Sequence, residues 1–294
     1  MRESSNPVMR GVVRDNQTGY QQPGMNQGGY AGFGAGMAGA GAMANQYGQM
    51  QQPYPQQQAP AVGRQLTIDD VVTKTAITLV VLTLSAIASY FVVDSNNALA
   101  MPLTLVGGLV GFVLVMVASF GRKQDNPAIV LAYAAFEGLF VGAISFVFAN
   151  WAVSGDTSAG AMIGQAILGT FGVFFGMLIV YKVGAIRVTP RFTRMLLAGL
   201  VGVLVLMVGN LVIGLFNGGE GFGLRSGGPL AIIFSLVCIG LAAFSFLLDF
   251  DSADRLIRAG APSKAAWGVA LGLTVTLVWL YVEILRLLSY FNSD

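Results

Sequence analysis

From residue 66 onward the chain is a succession of long apolar runs cut by short polar ones. A helix needs about 20 residues to cross a bilayer. Seven runs approach that length, and they predict spans over 71–93, 101–120, 127–149, 159–181, 195–216, 229–253 and 267–291. The polar connections alternate in charge. Arg122 and Lys123 follow the second span, Lys182, Arg187, Arg191 and Arg194 the fourth, and Arg255, Arg258 and Lys264 the sixth. The intervening connections hold Asp94, Asp156, and Glu220 beside a single Arg225. Basic residues accumulate in cytoplasmic loops, so the expected topology has a cytoplasmic N-terminus and an extracytoplasmic C-terminus, in agreement with an odd number of spans. The expected location is the plasma membrane.

Residues 1–64 show neither a helical nor a strand period. They are rich in Gln, Gly, Met, Tyr and Pro and carry no charge between Asp15 and Arg64. Such a segment cannot bury enough apolar surface to offset its chain entropy and is expected to be disordered. It reads as a solvated cytoplasmic tail or as a Gln/Tyr interaction segment. It is not a secretory signal, because no apolar stretch follows Arg2. The chain thus divides into a tail, 1–64, and a membrane domain, 65–294.

Composition agrees with the pattern. The chain is 55% hydrophobic and 10% charged with a mean hydropathy of +0.69, where soluble domains carry about 25% charged residues. A net charge of +2 gives no argument for nucleic acid. Cys238, the one cysteine, cannot form an intrachain disulfide. Histidine is absent, which removes Ser-His-Asp catalysis, His-ligated zinc and imidazole pH sensing together. With no GxGD-type aspartate pair for an intramembrane protease and no interior lysine in the last span for a retinal Schiff base, no enzyme or retinal receptor is expected, and no cofactor.

Proton chemistry must therefore run on carboxylates. Glu137 falls near the middle of the third span, Asp249 and Asp251 flank Phe250 at the end of the sixth, and Glu283 lies inside the seventh with Arg286 three residues on. A charge near the bilayer centre costs about 2.5–3.5 kcal/mol on insertion scales, so each intramembrane acid is a functional candidate by default. Each also has a plainer reading. Asp251 and Asp254 read as solvated loop-side acids, Glu283 and Arg286 as an i,i+3 ion pair with the arginine reaching for the surface, and Glu137 as a neutral acid serving packing. Two carboxylates in contact cannot both ionise cheaply; the pair keeps one proton, and losing it creates a repulsion that can drive helices apart. Glycine pairs at four-residue spacing, Gly107 and Gly111, Gly138 and Gly142, Gly172 and Gly176, predict close helix packing.

LLDFDSADRLI followed by LVWLYVEILRLLSYF resembles the last two helices of the Bax inhibitor-1/YccA family of transmembrane BAX inhibitor motif proteins. YAAFEGLFVGAIS resembles its third helix, and the opening RESSNP is similar to actinobacterial members. The likeness covers roughly 66–291. It implies an all-α membrane protein, a bundle of seven transmembrane helices with helix 7 surrounded by the other six, acting as a pH-sensitive calcium leak channel. In that pattern two acids on the last two helices share a proton in the closed form and an arginine near the end of helix 2 engages them. Asp249 matches the first acid, Glu283 the second (where the pattern has Asp), and Arg122 is the candidate arginine. Weak Ca²⁺ contact at Asp249 and Glu283 suits conduction, since calcium takes six to eight oxygens and two carboxylates supply few.

The expected partners are the lipid bilayer and Ca²⁺ or another cation. The other function class is a regulatory scaffold that binds membrane proteins or a membrane protease without transport. Helical rise bears on the carboxylate pair: a seventh helix beginning at Ser263 places Glu283 about 30 Å along it, far from the cytoplasmic end. Contact with Asp249 therefore requires either that residues 263–271 lie at the interface or that the sixth helix runs deep and is broken, and the first is the expectation here.

Overall fold

The computed structural model describes residues 64–150, 158–218 and 221–292; the tail expected to be disordered lies outside the described residues, apart from Arg64. Seven helices are long and apolar enough to cross a membrane: α1 (Ile68–Ser95), α2 (Ala100–Phe120), α3 (Pro127–Asn150), α4 (Ala159–Lys182), α5 (Pro190–Phe216), α6 (Pro229–Arg258) and α7 (Ala266–Phe291). Single 3₁₀ turns, Asn97–Leu99 and Ser263–Ala265, lead into α2 and α7. The sequence marks the starts. Thr67 and Asp70 close a reciprocal capping box on α1, Ser158 caps α4, Thr189 caps α5 ahead of Pro190, and Pro229 opens α6.

Helix α7 is the central element. Leu280, Tyr281, Val282 and Glu283 are consecutive and all buried, and at about 100° per residue four in a row point in every direction. Four helices, α1, α3, α4 and α6, pack directly on it. Helix α2 packs mainly on α3. Helix α5, with only Leu196 and Val203 buried, packs on α6 and is the outermost helix of the bundle.

The α1–α3 seam uses the predicted small residues. A Cβ on Gly138 would collide with the Leu82 carbonyl and lie 2.6 Å from Ser85 Cβ, and one on Gly142 would collide with the Ala86 carbonyl. At this approach Ser85 Oγ donates to the Ala135 carbonyl at 2.6 Å and Ser89 Oγ to that of Leu139 at 2.7 Å. Gly107 likewise meets the backbone of Phe136 and Phe140 across α2–α3. The third pair departs from expectation: Gly172 and Gly176 face open space, because the opposite face of α4 meets α7.

At one end of the bundle the chain before α1 pairs with the α6–α7 connection. Leu66 N donates to the Ala261 carbonyl and Ser263 N to that of Arg64, both at 2.8 Å, forming an isolated antiparallel bridge at Gln65 and Pro262. Lys264 reaches across to Asp125 on the α2–α3 turn at 2.8 Å. This clasp defines one end of the bundle, and the C-terminus of α7 lies at the other.

Candidate functional site

Helix α6 has 30 residues, about 45 Å at 1.5 Å each, so it outruns a hydrocarbon core of about 30 Å. Its last two turns carry i,i+4 ion pairs, Asp251–Arg255 and Asp254–Arg258, both at 2.7 Å. Asp251 is therefore a partly exposed acid at the clasp end with its own arginine. Asp249 lies one half-turn deeper and faces α7. Its Oδ2 accepts from Thr276 Oγ1 at 2.8 Å, and its Oδ1 lies 3.7 Å from where a Cβ on Gly272 would stand. Small residues on α7, Gly268 and Gly272, leave a cavity of about 420 Å³ here. Asp249, Arg122, Asp125, Ser119 and Ser252 line it. Arg122, in the α2–α3 turn at φ 52, shares this cavity with Asp249, and no ion pair joins them among the described residues. Beside it, the hydrogen bond and charge of Lys264 hold the Asp125 carboxyl below its ordinary range, against the opposing effect of burial.

Thr276 is poised between two acceptors. Its Oγ1 lies 2.8 Å from Asp249 Oδ2 and 3.2 Å from the Gly272 carbonyl. A hydroxyl has one proton and two lone pairs. Ionised Asp249 takes that proton; protonated Asp249 can donate to Thr276 Oγ1, which then turns its proton to Gly272. Both protonation states are satisfied, with opposite hydrogen-bond polarity.

Glu283 is elsewhere. Its Oε1 accepts from Arg286 Nη1 at 2.7 Å, and its Oε2 lies 3.4 Å from Ser235 Oγ on α6. The two side chains are 2% and 8% exposed, so this is a buried ion pair, with the guanidinium stacked 5.6 Å from the Phe148 ring. Arg225, on the α5–α6 connection, interacts electrostatically with both. The expected contact of Asp249 with Glu283 is therefore not formed. The reason is register: α6 runs unbroken through Asp249, α7 begins at Ala266, and Thr276, the partner of Asp249, stands two turns, about 10 Å, before Glu283. The plainer reading of Glu283 and Arg286 describes the arrangement, except that the arginine is buried and does not reach the surface.

Glu137 is half-buried on α3 and its carboxylate abuts Gly111 of α2. It makes no hydrogen bond or ion pair among the described residues and lies apart from the Asp249 cavity. Sequence reasoning missed Thr276, Ser235, Asp125 and Lys264. The available signal was that a buried carboxylate requires a donor, and Thr276 is a hydroxyl on the same face of α7 as Glu283, nearer the clasp end. Among the described residues no three Asp, Glu or Cys side chains converge as a metal site requires.

A family model described as Bax inhibitor 1 like matches residues 6–293. Comparison with curated proteins gives no match.

Proposed function

The chain belongs to the Bax inhibitor 1 like family, and from that premise we propose that it is a non-enzymatic, proton-sensitive leak path for cations, Ca²⁺ foremost, with its gate at Asp249. It is a multi-pass membrane protein with seven apolar helices. The observation that carries the proposal is the cavity of about 420 Å³ that ends on Asp249 and Thr276 against the central helix. Its two carboxylates, Asp249 and Asp125, attract a cation, while Lys264 and Arg122 at the same end keep the site from holding one tightly. Beyond Asp249 the interior is filled by Phe246, Leu273, Leu277 and Leu280, the arrangement of a closed path. The loop charges support a cytoplasmic clasp end and a C-terminus on the opposite side, and the plasma membrane is the location in this reading.

Gating in this reading does not need a second carboxylate. A change in the protonation of Asp249 reverses the hydrogen bond that joins α6 to α7 at Thr276, and an unscreened ion near Arg122 is drawn toward the turn. Unit charges at a partly buried site interact several-fold more strongly than in bulk water, a bias that shifts a two-state element. The buried Glu283–Arg286 pair lies farther along α7 and holds the other end. The test is Ca²⁺ flux into proteoliposomes across a range of pH. Thr276→Val removes the hydroxyl that responds to Asp249 and is expected to flatten the pH profile while the protein stays folded; an unaltered profile would remove the gate from this contact.

A further inference from the structure

A second cavity, of about 380 Å³, lies between α1, α3, α4 and α7. It begins near Leu79 of α1, in the interior of the bundle, and continues toward the C-terminal end as far as Phe91 and Gly160. Helices α1 and α4 form no packed seam with each other, so the cavity opens sideways between them, past the exposed side chains of Ile87, Phe91, Ile167 and Phe171. Within a membrane-spanning bundle that opening faces hydrocarbon. Its walls are apolar, with Leu82, Ala86, Val141, Ile163 and Val278 prominent.

The polar atoms on the floor give it chemical character. Ser145 Oγ is 2.6 Å from the Val141 carbonyl and 2.7 Å from Tyr281 Oη. Serine has a single hydroxyl proton, and at 2.6 Å from a carbonyl oxygen that proton must lie between the two. The Tyr281 proton then lies on the other contact, so Tyr281 donates to Ser145. Tyr281 Oη is left with lone pairs and no proton to offer. It is an acceptor at the floor of a cleft whose walls are mostly apolar, with the hydroxyls of Thr83 and Tyr90 also on the lining.

We propose that this cleft binds a membrane amphiphile with a long apolar chain and an uncharged hydroxyl, the chain entering between α1 and α4 and the hydroxyl donating to Tyr281. A long-chain alcohol or a diacylglycerol meets this description. An ester or ether oxygen, which only accepts, finds no donor at Tyr281, and a charged headgroup finds no counter-charge among the polar side chains of the lining, Thr83, Tyr90, Ser145, Thr170 and Tyr281. The site is separate from the Asp249 cavity, which shares no lining residue with it.

The test uses the full chain in phosphatidylcholine nanodiscs and hexadecanol carrying a diazirine on its chain. Photolabelling of the segments around 141–145 and 277–281 is expected to saturate. Unlabelled hexadecanol should compete about fivefold better than hexadecyl methyl ether, the factor of one net hydrogen bond. Tyr281→Phe should erase that preference. Ser145→Ala should raise the ether to the level of the alcohol, because the Tyr281 proton is then free to be donated. Gly160→Phe, at a position where a Cβ meets nothing within 4 Å, should fill the mouth and reduce labelling without lowering thermal stability. Labelling that does not saturate, equal competition by alcohol and ether in the unaltered protein, or full labelling of the Gly160→Phe protein would each overturn the proposal.

Discussion

Glu283 and Arg286 are the residues whose loss should be felt most in stability. Removing one partner of a buried ion pair strands the other charge, typically at about 3–5 kcal/mol, whereas replacing both with apolar groups of similar volume is often near neutral. Arg286→Met alone should therefore lower thermal stability in detergent strongly, and Glu283→Leu with Arg286→Met should restore most of it; equal losses in the single and double variants would contradict a buried pair. Glu137 belongs to a different class, since its carboxylate rests against Gly111 at the α2–α3 seam and outside the Asp249 cavity. Glu137→Gln should leave the pH profile of flux in place, and a flattened profile would bring it into the path. At this scale the sequence was half legible. It singled out each intramembrane acid by its cost in hydrocarbon, and the i,i+3 spacing of Glu283 and Arg286 named their bond. It could not tell which acid faces which, because that depends on the register of α6 against α7, and a shift of two turns exchanges Glu283 for Thr276 as the partner of Asp249.

Packing between elements follows from where small residues fall. On α3, Gly142 meets the Ala86 carbonyl and Ser89, so Gly142→Val should overpack the α1–α3 seam and cost about 1–3 kcal/mol. Gly176 on α4 meets nothing, and Gly176→Ala should be neutral or slightly stabilising. Thermal unfolding of both variants in one detergent separates the cases; equal destabilisation would show that α4 has a partner. The two glycine pairs look alike in the chain, and only the direction each helix faces tells them apart. The clasp end has its own pH dependence. The Asp125–Lys264 bridge favours the ionised carboxyl in the folded state, so its contribution is present above the ordinary Asp value of about 4 and is lost as pH falls through the lowered one. Asp125 is 37% exposed, so the effect is small and screened by salt. Asp125→Asn should flatten the acid limb of the stability curve at low salt and change little in high salt; an unchanged acid limb at low salt would show that the bridge adds nothing.

The whole molecule is a central helix enclosed by others, and seven apolar helices of spanning length make it a multi-pass membrane protein. That much was legible, because seven apolar runs of spanning length have few other solutions. The central place of α7 was carried by resemblance, and the burial of the consecutive residues Leu280, Tyr281, Val282 and Glu283 bears it out. Cysteines placed at Gln65 and Asn292, with Cys238 replaced by Ala, should label from opposite sides of intact cells, Asn292 from outside. Labelling of both from one side would contradict seven spans. The central claim is that protonation at Asp249, where α6 meets α7 through Thr276, controls the passage of cations. It is tested most directly by Ca²⁺ flux into proteoliposomes, measured from acid to alkaline pH for the unaltered protein and for Asp249→Asn. Asparagine keeps a hydrogen bond to Thr276 but cannot titrate, so the unaltered protein should show a flux that changes with pH and the variant a flux that does not, at either a high or a low level. A variant that keeps the pH profile of the unaltered protein would contradict the account.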